Sequence, residues 1–379
     1  MIIKNVQVFG EDKRVRQGAI QIRDGLFAAV CGLEEPDQSS DEVLDGEGCF
    51  AIPGLVDIHF HGCVGADFCD GTEEAIAQMA AYEASVGVTS ICPASMTVSE
   101  EELHTIMRTA GNYQPHGGAK LSGINMEGPF ISEKKKGAQA AEHIRRCDAA
   151  LFRALQKEAD GLIRLVDIAP ETEGAMEFID MVKDEVVVSV AHTMADYDTA
   201  AEAFSRGASH VTHLYNAMPP MNHRDPGVAG AARDAKNCSV ELICDGIHIH
   251  PSMVRATFAM FGSDRVILIS DSMRAAGLTD GQYTLGGQDV FVKGALATLA
   301  DGTIAGSVTN LMDCMKNAVK NMEIPLEDAV AAATMNPAKA IGIYDICGSI
   351  SEGKAADLVL LDKELNVKAI YVDGKEIQI

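Results

Sequence analysis

The chain has 379 residues, with 31 basic against 55 acidic side chains, a formal charge of −24 and 47% hydrophobic composition. Such a length and apolar share suit one large core with an appendage better than several small modules. The acidic surface repels nucleic acid and anionic membranes and so excludes both as partners, and an anionic substrate has to be held by a few local cations.

Residues 1 to 50 read as short alternating strands, "IIKNVQVF", "AIQIRDG", "LFAAVCG" and "EVLDGEG". This start lacks the basic-then-apolar order of a signal peptide, and no apolar stretch along the chain is long enough to span a bilayer. The ten cysteines are spread out with no Cys-x-x-Cys pair, as for reduced thiols. A soluble cytoplasmic protein is expected.

From residue 51 the pattern changes to compact apolar runs alternating with helical stretches, as expected of parallel strands buried on both faces. Eight runs appear: "LVDIHF" (55–60), "GVTSICPA" (87–94), "LSGINME" (121–127), "LIRLVDIA" (162–169), "VVVSVAH" (186–192), "ASHVTH" (208–213), "VELICD" (240–245) and "VILISD" (266–271). Eight is the number that closes a (β/α)8 TIM-like barrel. Helices are expected at 73–86, 148–159 and 197–207, a hairpin insertion after the eighth strand, and further helices around 307–322 and 326–334. The end, "ADLVLLDKELNVKAIYVDGKEI", is again strand-like. The expected α/β architecture is therefore a barrel over 51–345, with 1–50 and 346–379 forming one small β-sandwich domain from both termini.

The active site of such a barrel is built where the strands end at their C-terminal face. Strand one ends in His59 and His61, strand three in Glu127, strand five in His192, strand six in His213 and strand eight in Asp271. Any one of these is ordinarily a capping or solvent-facing residue; six in phase with strand ends point to a metal site. The donor set suits zinc or iron-like divalent ions. Glu127, His192 and His213 can supply three ligands and leave a position open, and Asp271 is the candidate base and later acid. His59 and His61, on one face of their strand, can add a second ion with Asp271 as a shared ligand.

The segments "IPGLVDIHFHG", "MEGPFISEKKKGA", "SVAHT", "VTHLYNAMPPMNHRDPGVAG", "CDGIHIHP", "ISDSM", "TIAGS" and "TMNPAKAIGI" occur in order from about residue 48 onward. Together they resemble the amidohydrolase superfamily, and within it the amino-sugar-phosphate deacetylases. The resemblance implies metal-dependent removal of the acetyl group from N-acetylglucosamine 6-phosphate, giving glucosamine 6-phosphate and acetate. It implies one or two ions per chain, since the first His-x-His varies in the family. It also implies that Ala138, Gln139, Asn216, Ala217, Arg224, His248, Ile304, Ala305 and Gly306 bind the sugar phosphate, and that Arg224 reaches the neighbouring site of a homodimer. Without the resemblance, Arg224 also has the plainer, less favoured reading of a loop arginine in a solvated salt bridge.

Gln139 stands where many relatives have histidine; its amide is expected to donate to the acetyl carbonyl without carrying charge. His248 is expected near sugar hydroxyls, His250 to be structural, and the lysine run 134–136 to be a solvated loop or part of a lid. The rival readings are a cyclic-amide hydrolase and a non-catalytic scaffold. The first typically bridges two metals with a carbamylated lysine ending strand four, and "LVDIAPET" has none. The second usually loses ligands that this chain keeps.

Overall fold

The computed structural model describes residues 1–32 and 42–378. All eight apolar runs contain a barrel strand. In order, the strands are Leu55–Asp57, Val88–Ile91 with Ala94–Ser95, Lys120–Leu121 with Ile124–Met126, Ile163–Ile168, Val187–Val190, His210–Val211, Ser239–Ile243 and Val266–Ile269. Neighbours pair in parallel and in sequence order. Strand eight returns to strand one through Asp271 N to His59 O (2.9 Å) and His61 N to Ser272 O (2.7 Å), which closes the ring. Strands one, two and eight are buried at every residue, which accounts for their unbroken apolar runs.

The helices start where the sequence supplies caps. Thr72 accepts from Ala75 N to open Glu73–Ser85, and Ser99 with Glu102 forms a capping box for Glu100–Asn112. Asp196 opens Tyr197–Arg206, which stops at Gly207. The expected helices at 148–159, 307–322 and 326–334 are Ala149–Glu158, Leu311–Lys320 and Leu326–Ala333. Strands Gly281–Leu285, Gln288–Lys293 and Leu296–Thr298 form the insertion as an antiparallel three-stranded sheet.

Both ends of the chain join one eight-stranded mixed sheet. The expected sandwich is this single sheet curled over itself: Phe27 N donates to Lys354 O and Ala356 N to Gly25 O, bringing its early hairpin against the approach to Leu358–Leu361. The enclosed face packs Ile3, Val6, Ile20, Phe27, Leu358 and Tyr371 into a small core of their own. Phe9, Ile52, Val359 and Ile370 from the same strands join the barrel core instead. Gly54 separates Phe50–Pro53 in this sheet from the first barrel strand, and a Cβ there would sit 2.2 Å from Thr89 Oγ1.

Candidate metal centre and active site

The expected site residues stand just past the ends of five strands and converge on the barrel axis. Three of them leave the strand in the left-handed region: His192 at φ 42°, His213 at 30° and Asp271 at 49°. Such a conformation is uncommon for a side-chain-bearing residue and persists only where its surroundings impose it. Here the bonds are Ser132 N to His192 O (2.9 Å), Asn216 N to His213 O (2.9 Å) and Ser307 N to Asp271 O (2.7 Å). Gly128 turns the chain directly after Glu127; a Cβ there would meet Thr97 Oγ1 at 2.1 Å.

Two clusters result. In the first, Glu127 Oε1 lies 3.0 Å from His192 Nε2 and 3.1 Å from His213 Nε2, and the two nitrogens are 3.1 Å apart. In the second, Asp271 Oδ1 lies 3.3 Å from His61 Nε2 and 3.7 Å from His59 Nε2. Glu127 spans both, its Oε1 3.4 Å from His59 Nε2 and its Oε2 3.4 Å from His61 Nε2.

The tautomers favour ion binding. His192 Nδ1 is 2.8 Å from Lys135 O, an acceptor only, so the proton sits on Nδ1 and the Nε2 lone pair faces the cluster. His61 Nδ1 faces Ala94 O at 3.3 Å in the same way. His59 Nδ1 meets Glu241 Oε2 at 3.0 Å, while its buried Nε2 has no hydrogen-bond partner. Inward-facing imidazole nitrogens and carboxylate oxygens, with acceptors behind His59, His61 and His192 though not behind His213 Nδ1, fit a divalent ion in each cluster.

Burial works against ionised Glu127, but His59, His192 and His213 outweigh it and hold the carboxyl well below the ordinary range. For Asp271 burial is again opposed, chiefly by the His61 bond and the charge of His59, and its pKa is lowered. Burial also disfavours protonated His59, yet Glu241 and Glu127 raise its pKa well above the usual value.

Above the clusters lies a cavity of about 490 Å³, lined by His61, Glu127, His192, His213 and Asp271 at its floor. Ala138, Gln139, Asn216, Ala217, His248, Ile304 and Gly306 line it, whereas Ala305 is buried in the apolar cluster that includes Met273. Gln139, expected to donate to the acetyl carbonyl, has both ends of its amide engaged within the chain: Nε2 donates to Glu127 Oε2 at 2.7 Å and Oε1 accepts from Thr97 N at 2.6 Å. Arg224 is exposed on its loop and is not among the lining residues of the chain's own cavity.

His248 is held by Asp245 Oδ2 at 2.7 Å, and that carboxylate raises its pKa against the effect of burial. His250 caps the helix Pro251–Phe261 through Ser252 N, the structural role expected of it. Lys134, Lys135 and Lys136 line the cavity rather than standing clear of it. Glu241 is the site residue that strand reading passed over; its signal was a charged side chain inside the apolar run "VELICD".

A closed barrel with His-x-His, Glu, His, His and Asp at its strand ends is the arrangement of a metal-using hydrolase. The amidohydrolase family matches residues 50–377. The chain is 38% identical over 373 residues to the N-acetylglucosamine-6-phosphate deacetylase of Bacillus subtilis, covering 97% of this chain and 94% of that one. It is 33% identical to the N-acetylgalactosamine-6-phosphate deacetylase of Escherichia coli O157:H7, over 94% of this chain and 93% of the other. A solved N-acetyl-D-glucosamine-6-phosphate deacetylase mutant of Mycobacterium smegmatis, in complex with N-acetyl-D-glucosamine-6-phosphate, superposes with a TM-score of 0.93 at 32% identity, covering 100% of this chain and 99% of that one. The chain belongs to the amidohydrolase family, in its branch of N-acetylglucosamine-6-phosphate deacetylases.

Proposed function

We propose that the chain hydrolyses the acetamide of N-acetylglucosamine 6-phosphate to glucosamine 6-phosphate and acetate, in amino-sugar catabolism in the cytoplasm. The observation that carries the site assignment is the meeting of Glu127 Oε1, His192 Nε2 and His213 Nε2 within 3.1 Å of one another, with Asp271 on the same cavity floor.

Glu127, His192 and His213 would hold the principal ion, with zinc or iron the best match to two imidazoles and a carboxylate, and His59, His61 and Asp271 a second one. When bound, the ion lowers the pKa of water and polarises the acetyl carbonyl. Asp271, kept ionised below the usual carboxylate range, accepts the proton of the attacking water. The water oxygen bonds to the acetyl carbon, and Asp271 returns the proton to nitrogen as the C–N bond breaks. His61, 3.3 Å from Asp271 Oδ1, orients that carboxylate.

For the sugar phosphate, His248, Asn216, Ala217, Ile304 and Gly306 surround the cavity in one chain. The strongest phosphate donor is Arg224 of a second copy, since a guanidinium pairs a phosphate through two parallel bonds and Arg224 is exposed in its own chain. This makes the working unit a homodimer.

Metal-loaded protein incubated with N-acetylglucosamine 6-phosphate should release free amine and acetate in equal amounts. No release above a chelated control would sink the reading. Faster release from N-acetylgalactosamine 6-phosphate would move the substrate to the C4 epimer, which the Escherichia coli relative's name carries.

A further inference from the structure

We propose that Glu241 is a positioning residue that controls whether an ion occupies the His59–His61–Asp271 cluster, an inference that rests on reading the two clusters as ion sites. Glu241 lies in the middle of the strand Ser239–Ile243, fully buried, and is absent from the lining of the substrate cavity. A carboxylate withdrawn from water this completely is retained only where strong partners hold it, so its partners are informative.

Both of its close partners are metal-cluster residues, one from each cluster. Glu241 Oε2 is 3.0 Å from His59 Nδ1 and 3.0 Å from His213 N. Its other oxygen makes no hydrogen bond; it faces His210 Nε2 at 3.7 Å. All of its side-chain hydrogen bonding is therefore directed at the two clusters.

The two contacts need different things from Glu241. His213 N requires an acceptor, which any oxygen at that point provides, and the bond helps hold the left-handed His213 in place. His59 requires a negative charge. A carboxylate behind Nδ1–H makes the imidazole a stronger donor at Nε2 and locks the ring so that this atom faces Glu127 and Asp271. Removing the charge while keeping the oxygen should separate the two effects.

The test is Glu241→Gln, titrated as chelated protein with Co(II) and followed by visible absorption and by elemental analysis after dialysis. Wild-type protein should take up two equivalents per chain. In the variant the second equivalent should weaken at least ~10-fold, the size expected for an outer-shell carboxylate, while the first is little changed. A second equivalent as tight as in wild type, equal weakening of both, or a wild type that takes up one equivalent would each overturn the proposal.

Should the variant not fold, the unmodified protein supplies a second measurement. Its ¹⁵N imidazole spectrum, loaded with Zn(II), should show His59 protonated at Nδ1 and liganded at Nε2; the reverse assignment overturns the proposal. Neither readout uses turnover, so failure here and failure of the deacetylase reading are told apart.

Discussion

Gln139 Nε2 donates to Glu127 Oε2 at 2.7 Å, and its Oε1 is taken by Thr97 N at 2.6 Å. Both ends of the amide are committed, so this side chain fixes the carboxylate that spans the two clusters. Gln139→Leu should lower ion affinity about 10- to 100-fold. It should also cost about 1–3 kcal/mol of stability by leaving Thr97 N unpaired in the interior. Dialysis against metal buffers and urea unfolding measure the two effects; unchanged ion affinity would return Gln139 to a direct role on the substrate.

Asp271 is assigned the proton transfer and not the main hold on the principal ion. Asp271→Asn should keep the Glu127–His192–His213 ion and lose about 10²- to 10⁴-fold in kcat. An amide cannot take the proton of the attacking water. Elemental analysis beside steady-state kinetics checks both halves, and near-full turnover would reject Asp271 as the base.

Arg224 is predicted to act across a dimer. Arg224→Ala should weaken the phosphorylated sugar far more than the unphosphorylated one. Mixing Arg224→Ala chains with Asp271→Asn chains should then restore activity, because a hybrid joins an intact catalytic carboxylate with the other chain's arginine. Additive residual rates without recovery would place the phosphate contact elsewhere.

Asp57 is buried, with Oδ2 accepting from Ser270 Oγ at 2.6 Å and Oδ1 from His59 N at 3.2 Å, and burial pushes its pKa up to about 7. The folded carboxyl keeps its proton to about pH 7, while the unfolded one releases it near pH 4. Between those values the unfolded state binds fewer protons, so stability falls as pH rises through the window and is level above it. The loss is on the order of 4 kcal/mol. Asp57→Asn carries no charge; its one oxygen can still accept from His59 N while its NH2 donates to Ser270 Oγ, which turns from donor to acceptor, so chelated variant protein should gain stability over chelated wild type at pH 8 and not at pH 4. Equal unfolding midpoints at pH 8 would refute this.

Ion removal should destabilise the barrel mouth. An ion bound only by the folded state at 100 times its Kd contributes about 2.7 kcal/mol. Chelation should therefore lower Tm, and adding back Zn(II) or Fe(II) should restore it. The same Tm with and without chelator would mean the clusters hold no ion under those conditions.

Much of this molecule was legible before folding. Parallel strands buried on both faces leave apolar runs of fixed length, and all eight were found where the strands lie. His59, His61, Glu127, His192, His213 and Asp271 were legible as a group because barrel chemistry sits at strand ends. The eight-stranded sheet from both termini was harder to read: alternation signals strands but not whether they form two sheets or one that curls.

The sequence by itself determined the strand count, the identity of the candidate ligands and their place at the strand ends, since these follow from periodicity and residue type. Only the tertiary structure decided what each side chain bonds. It turned Gln139 onto Glu127, brought the 134–136 lysines to the cavity and set Glu241 behind His59, a contact across 182 residues of chain. The reason is physical: local pattern fixes which face of a strand a residue occupies, while hydrogen bonds in a closed barrel join residues whose separation along the chain carries no signal. Two histidines in "IHFHG" therefore suggest an ion, and the carboxylate behind one of them is visible only in the fold.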